Sequence, residues 1–186
     1  MALITYADKV KINENADVPA INKVRDVDMN EIKEVVNQNY NEQVPQMITA
    51  SLETSTSVTA QSGKIPLNVS VVAGDKLSFS SSTNKITIGS DISKVKISAN
   101  MRVSTNVNAS IGINLNIMKN DDVIIASNRF SLGANAYGGL AIAPKIVNVT
   151  QGDTLYLAYW KSSSSQAISI MDETYGSTYL TVEVVE

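Results

Sequence analysis

Residues 111–117 read Ile-Gly-Ile-Asn-Leu-Asn-Ile, and this stretch decides the fold class. The aliphatic side chains of Ile111, Ile113, Leu115 and Ile117 alternate with glycine and asparagine. Successive side chains of a strand point to opposite faces of a sheet, so the pattern predicts a strand with one apolar and one polar face. Residues 119–122, Lys-Asn-Asp-Asp, predict a hairpin turn into a second apolar run.

Working outward from this hairpin, apolar and polar residues alternate in short segments through the last two thirds of the chain. We predict about ten strands, near residues 65–72, 76–80, 85–88, 94–104, 109–118, 123–130, 140–149, 154–161, 167–171 and 178–185. Many short strands separated by polar turns indicate a β-sandwich or barrel. The sequence therefore predicts a mainly β protein with a C-terminal antiparallel sandwich.

Two of the predicted turns share the sequence Gly-Asp-x-Leu, beginning at Gly74 and at Gly152. Glycine readily adopts a positive φ, and the aspartate that follows it caps a turn by accepting backbone hydrogen bonds. We expect Asp75 and Asp153 to have this structural role. A calcium site is the alternative, and it would need several of the four turn aspartates to converge, namely Asp75, Asp121, Asp122 and Asp153.

Residues 1–49 differ from the rest of the chain and are predicted to form an arm with one helix. Asp28 is a good N-cap and Glu31 stands three residues later, as in a capping box. We predict a helix over about residues 29–42, before Pro45. Its apolar stripe comprises Met29, Ile32, Val35, Val36 and Tyr40.

A single short helix is marginally stable in water, so the predicted helix needs a partner. Three alternatives remain open from the periodicity: docking on the C-terminal part of the chain, bundling with other copies, or attachment to another protein. Residues 50–63 are nearly all small and polar, which is typical of a linker. The predicted organisation is therefore an attachment arm over residues 1–49, a linker over 50–63 and a sandwich over 64–186.

The composition excludes several function classes. The chain has 186 residues with no His and no Cys, and 15 Lys plus Arg stand against 18 Asp plus Glu. Without imidazole or thiol groups it cannot build a usual zinc site, a Ser-His-Asp triad, or a haem or iron–sulfur ligand set. The absence of a basic block argues against nucleic-acid binding. We expect no cofactor and no metal.

No apolar run is long enough to cross a bilayer, and the first residues lack the pattern of a secretory signal. We therefore expect synthesis in the cytoplasm and no membrane insertion.

The predicted strand 154–161 is apolar on both faces, which a lone sandwich seldom shows. If Leu155, Leu157 and Tyr159 face the core, Tyr156 and Trp160 face outward. Exposed aromatic side chains are typical interface anchors, so we predict an oligomer interface at Tyr156 and Trp160, together with Tyr179 on the last strand. The alternative is that the N-terminal arm covers them.

The order of these features resembles a known fold family. Residues 93–101, the hairpin at 119–122, residues 152–157 and residues 178–182 together resemble the C1q and tumour-necrosis-factor-like (TNF-like) jelly roll, over residues 64–186. This resemblance implies a ten-stranded sandwich that assembles as a homotrimer.

Residues 21–37 are separately similar to an N-terminal segment of tailed-bacteriophage and prophage structural proteins. Together the two resemblances imply a virion appendage of the head-fibre or tail and baseplate-fibre type. Its N-terminal part would attach to capsid or tail proteins, and its head would aid host adsorption. The chain lacks the collagen-like Gly-X-Y stalk that some relatives carry, which implies a short reach.

Two further function classes depend on particular residues of the chain. A receptor module for host-surface carbohydrate is indicated by the loops at 135–139 and 161–166, where Asn135 can bond sugar hydroxyls and Tyr137 can stack. A polysaccharide hydrolase would need two carboxylates across a glycosidic bond. The adjacent pairs Asp121–Asp122 and Asp172–Glu173 do not provide this, because neighbours on a strand point to opposite faces. We therefore expect no enzymatic activity.

Overall fold

The computed structural model describes residues 30–37, 45–172 and 177–185. The chain divides into two compact units, residues 1–45 and residues 46–186. In the first unit residues 30–37 are helical, as predicted, and Ile32, Val35 and Val36 are 54%, 51% and 42% exposed. Met29 and Tyr40 of the predicted stripe lie outside the described residues. No helix in the described ranges is long and apolar enough to span a membrane.

The second unit contains all thirteen strands found in the described part of the chain. They are β1 (Met47–Ser51), β2 (Thr56–Val58), β3 (Ser62–Lys64), β4 (Val69–Ala73), β5 (Leu77–Ser80), β6 (Lys85–Ile88), β7 (Lys94–Ser104), β8 (Ile111–Lys119), β9 (Val123–Leu132), β10 (Tyr137–Asn148), β11 (Thr154–Lys161), β12 (Ile168–Ile170) and β13 (Tyr179–Val184).

The strands form two antiparallel sheets. The first sheet has the order β2-β12-β7-β13-β1-β4, and β10 also pairs with β7. The second sheet has the order β5-β6-β11-β8-β9, and β3 also pairs with β11. From β6 onward the chain crosses repeatedly between the two sheets, which is the winding of a jelly roll. The predicted fold class, a mainly β protein with an antiparallel jelly-roll sandwich, is confirmed.

The core lies between the sheets and is built by the predicted alternation. In β8 the side chains of Ile113, Leu115 and Ile117 are fully buried, and the central strand β7 alternates buried and partly exposed residues over almost its whole length. Each fully buried aliphatic side chain contributes about 1.5–3 kcal/mol by leaving water. The period of two therefore fixes which face of each strand points inward.

The linker predicted over residues 50–63 is not a linker in the structure. β1 pairs with β13 and β4, β2 pairs with β12, and β3 pairs with β11, while Ala50 and Leu52 are buried in the core. The sandwich thus begins at residue 46 rather than 64. Small polar residues suit short edge strands as well as linkers, and their composition does not reveal backbone pairing with distant strands.

Candidate functional site

The two ends of the sandwich differ in charge. Four of the loops toward one end, residues 59–61, 105–110, 133–136 and 162–167, contain no Asp, Glu, Lys or Arg, and we call these four loops the neutral pole. The loops at the other end, residues 74–76, 89–93, 120–122 and 149–153, form the charged pole. Its six charged loop residues are Asp75, Lys76, Asp91, Asp121, Asp122 and Asp153.

The neutral pole brings together the two loops that the sequence singled out for carbohydrate binding. The amide of Thr105 donates to the carbonyl of Ala136 at 3.0 Å, and the hydroxyl of Thr105 donates to Ala167 at 3.4 Å. The loop before β10 and the loop after β11 are therefore both hydrogen-bonded to Thr105. The amide of Asn135 also donates to the carbonyl of Val107 at 3.0 Å, which fixes the loop on its other side.

Both candidate glycan contacts lie exposed at or beside the neutral pole. Asn135 is exposed and has a φ of 49°, a left-handed conformation that asparagine adopts more readily than most residues. Tyr137 is the first residue of β10, stands opposite Ser104 and has 69% of its surface exposed. This is the largest exposed fraction among the large hydrophobic side chains of the described residues.

Two glycines after Tyr137 let β10 lie close to its neighbours. A Cβ at Gly138 would stand 2.4 Å from the ring of Phe130, and a Cβ at Gly139 would stand 3.0 Å from Cδ of Arg102. Any side chain at these positions would push the strand away from Phe130 and Arg102. The position of Tyr137 thus depends on the absence of side chains at the next two residues.

Lys161 is a buried residue of this pole that the sequence reasoning missed. Its side chain is 0% exposed, and its ammonium donates to the carbonyls of Thr59 at 2.6 Å, Ser163 at 3.0 Å and Gln166 at 2.5 Å. Burial lowers the pKa of Lys161, while the three carbonyls favour its charged form. Lys161 stands two residues after Tyr159 and so continues the alternation of Leu155, Leu157 and Tyr159. This alternation is the sequence signal that the Lys161 side chain points inward.

The charged pole is held by side-chain charges, with Asp153 at its centre. The Asp153 carboxylate accepts hydrogen bonds from the Thr150 amide at 2.8 Å, Asn120 Nδ2 at 2.7 Å and Lys119 Nζ at 2.6 Å. Burial alone would raise the pKa of Asp153, but these hydrogen bonds outweigh it and lower the pKa to about 2. Gly74 and Gly152 have φ of 81° and 85°, as the turn prediction requires.

Asp121 is paired with two lysines. Lys85 Nζ lies 2.6 Å and Lys64 Nζ lies 3.2 Å from its carboxylate oxygens, and hydrogen bonds from Lys85 and then Lys64 lower its pKa. In the described part of the chain no three acidic residues come together in a way that could hold a metal ion. Asp121 and Asp153 are therefore occupied by lysines of the same chain.

Tyr156 does not need a second subunit to cover it, contrary to the sequence-based expectation. It is only 5% exposed, because Lys64 Nζ lies 4.6 Å and Lys85 Nζ lies 5.7 Å from the centre of its ring. Its hydroxyl donates to the carbonyl of Asp121 at 3.2 Å. Burial and then the Asp121 charge raise its pKa. The aliphatic parts of lysine side chains can cover an aromatic ring, which a strand pattern does not show.

The three predicted interface residues do not form one surface. Tyr156 and Trp160 lie on β11 in the second sheet, with Leu157 and Tyr159 facing the core between them. Tyr179 lies on β13 in the first sheet, and the next residue, Leu180, faces the core. Trp160 and Tyr179 are both partly exposed, on opposite outer faces of the sandwich. Alternation assigns a residue to the outside but does not assign its strand to a sheet.

Comparison with known proteins gives a likeness of fold. No family model matches the chain, and no curated protein matches it. The crystal structure of murine APRIL at pH 5.0 is similar with a TM-score of 0.49 and 11% identity, over 75% of this chain and 99% of that one. The structure of Eiger TNF from S. frugiperda is similar with a TM-score of 0.46 and 11% identity, over 76% and 94%. At these scores the fold assignment rests on the strand order of the chain itself.

Proposed function

We propose that this chain is a non-catalytic structural and adhesive protein of a tailed-bacteriophage or prophage particle. Its N-terminal part would attach to capsid, tail or baseplate proteins, and its jelly roll would project as a homotrimeric head. The attachment rests on the resemblance of residues 21–37 to an N-terminal segment of phage structural proteins, which is an expectation from the sequence alone. One structural observation carries the proposal. The sandwich begins at the charged pole, and the neutral pole lies at the opposite end of the strands.

The chain enters the sandwich at the charged pole. The side-chain oxygen of Gln46 accepts hydrogen bonds from the amides of Asp75 and Lys76 at 2.9 and 3.0 Å, and its carbonyl accepts one from Val184. The sandwich therefore begins at the charged pole, and the neutral pole is at the other end of the strands.

The outer face of the first sheet is the favoured trimer contact. Val71 and Ile146, which are 67% and 57% exposed, lie opposite the outward residues Thr49 and Lys96, and Tyr179 lies on the same face. Val71 on β4 and Ile146 on β10 lie toward opposite sides of this face, with Tyr179 on β13 between them. Exposed apolar side chains are typical of protein interfaces. Trp160, on the other sheet, is the competing anchor.

Light scattering tests the assembly. The full chain and a shortened chain, Pro45–Glu186, should both have the mass of a trimer, and the shortened chain keeps every strand because β1 begins at Met47. Tyr179→Ser should weaken the trimer and Trp160→Ser should not. A monomer for both chains would refute the trimer, and a trimer weakened only by Trp160→Ser would move the interface to the second sheet.

Immunogold labelling of purified particles from the strain that encodes this chain tests the location. We expect gold label on the particle surface. Particles made with a chain that lacks residues 1–44 should carry no label. Particles that carry none of the chain would refute the virion assignment, whatever its mass in solution.

Recognition of host-surface carbohydrate is the second candidate function. The observation that favours it is the joining of the two loops at 133–136 and 162–167 through Thr105. Adsorption of particles carrying Tyr137→Ala, compared with the wild type, tests it. Equal adsorption to host cells would remove Tyr137 from receptor recognition.

A further inference from the structure

The neutral pole exposes groups that bind without charge. Its loops present the amide side chains of Asn106, Asn108 and Asn135 to solvent, together with the hydroxyls of Ser164 and Ser165. Amide and hydroxyl groups both donate and accept hydrogen bonds, which suits a ligand rich in hydroxyl groups. The cation at this pole, the Lys161 ammonium, is buried and bonded to three carbonyls, so it cannot pair with an anion in solution.

The backbones that carry these groups are fixed to one another. Besides the bonds of Thr105 and Asn135, the amide of Gly112 donates to the hydroxyl of Ser162, and the amide of Ser162 donates to the carbonyl of Gly112, both at 2.9 Å. Lys161 ties residues 59, 163 and 166 together. A surface whose loops are already ordered loses less conformational entropy when a ligand binds.

Tyr137 adds an exposed aromatic face beside these polar groups. With 69% of its surface exposed, its ring contributes little to the core, and the two following glycines hold its strand close to Phe130 and Arg102. Ligand sites commonly combine an aromatic or apolar surface with a few polar groups that fix orientation. A sugar ring presents the matching pair, an apolar face of C–H groups and a rim of hydroxyls.

We propose that the neutral pole is a binding site for uncharged oligosaccharides, with Tyr137 as the stacking platform and Asn135 as a hydrogen-bonding group. The proposal deepens the second candidate function above and rests on it for its biological setting. The four loops themselves carry no charged side chain, and the guanidinium groups of Arg102 and Arg129 belong to the strands beside them. Arg102 packs against Gly139, and Arg129 packs beside Gly112.

A glycan array probed with the full-length chain tests the ligand class. The array should carry neutral oligosaccharides of hexoses and N-acetylhexosamines beside sialylated, sulfated and uronate-bearing ones. We expect binding to neutral glycans that changes less than about twofold between roughly 0.05 and 0.5 M salt, since uncharged contacts are not screened. Binding to acidic glycans alone, or to none, would overturn the proposal.

Two variants and a matched control test the residues. Tyr137→Ala should weaken binding to the neutral glycan at least about tenfold, equivalent to about 1.4 kcal/mol. Asn135→Gly removes the amide while keeping a residue that accepts the φ of 49°, and it should weaken binding severalfold. Asn84→Gly makes the same change at the β5–β6 turn, which has a φ of 56° and is not one of the four loops of this pole, and it should leave binding unchanged.

Wild-type affinity in Tyr137→Ala and Asn135→Gly, or equal losses in Asn84→Gly, would overturn the site. The outcome is separate from the particle assignment. Glycan binding by a chain that is absent from particles would refute the virion function and leave this site intact, and labelled particles without glycan binding would do the reverse.

Discussion

The two poles of the sandwich are stabilised by different means. At the charged pole, carboxylates and lysines bond to one another and to turn amides, as at Asp153 and Asp121. At the neutral pole, backbone hydrogen bonds join the loops, and the only ammonium of the described side chains there is buried under them. At the charged pole Asp121 and Asp153 are thus paired with lysines of the same chain, while the neutral pole exposes amide side chains and Tyr137 to solvent.

The largest expected effect is at the neutral pole. Lys161→Met keeps the length of the side chain but removes the donors for the carbonyls of Thr59, Ser163 and Gln166. An unsatisfied buried polar group costs about 1–3 kcal/mol, so we expect a loss of about 3 kcal/mol in the free energy of unfolding after partial relaxation. Urea unfolding at one fixed protein concentration measures it, because assembly adds to apparent stability.

Lys76→Met is the matched control at the charged pole, where the lysine is exposed. It should change stability by less than about 0.5 kcal/mol. Similar losses in the two variants would mean that the three carbonyls do not depend on the ammonium, and the contrast between the poles would lose its main support.

The fold was predictable because its signal is local. In β8 as far as Ile117, and in β11 as far as Tyr159, every second residue is aliphatic or aromatic, and the residues at this period, among them Ile111, Ile113, Leu115, Leu155 and Leu157, are buried in the structure. The start of the domain was not predictable in the same way. β1 and β2 pair with β13 and β12, more than a hundred residues away, and β3 pairs with β11, more than ninety residues away. Ser- and Thr-rich sequence carries no trace of those partners.

The next expected effect is an acid-sensitive contribution from the charged pole. The folded pKa of Asp153, about 2, lies below its unfolded value of 3.8, so the charged carboxylate stabilises the fold above pH 3.8. This stability falls as the pH drops from about 4 to about 2. A shift of this size corresponds to roughly 2 kcal/mol. Urea unfolding at pH 6 and pH 3 should show a loss that is smaller in Asp153→Asn.

Asp122→Asn removes an exposed carboxylate from the same pole and is the control. It should lose as much stability on acidification as the wild type. If Asp153→Asn retains the full acid-induced loss, the charge of Asp153 does not stabilise this pole and another carboxylate is responsible.

The candidate site was predictable only in part. Asn135 and Tyr137 were identified from residue type in a polar loop, and both are exposed in the structure. Their proximity to the loop after β11 depends on Thr105, which joins segments separated by up to 62 residues. Tyr156 was assigned to an interface because a strand pattern shows which face a ring occupies but not that Lys64 and Lys85 cover it.

The smallest expected effect compares one glycine from each pole. Gly152 has a φ of 85°, and a Cβ added there would meet no atom within 4 Å. Gly133 does not have a left-handed φ, and a Cβ added there would lie 3.8 Å from the Cβ of Ala136. Gly152→Ala should therefore destabilise the fold by about 1 kcal/mol through backbone strain alone.

Gly133→Ala should instead be neutral or stabilise by up to about 1 kcal/mol, because alanine restricts the unfolded chain and fits the folded loop. Thermal unfolding of both variants at equal concentration distinguishes the cases. Equal destabilisation would show that the loop at Gly133 needs glycine after all. The neutral pole would then resemble the charged pole in requiring glycine within a loop, and the contrast between the poles would rest on their charges.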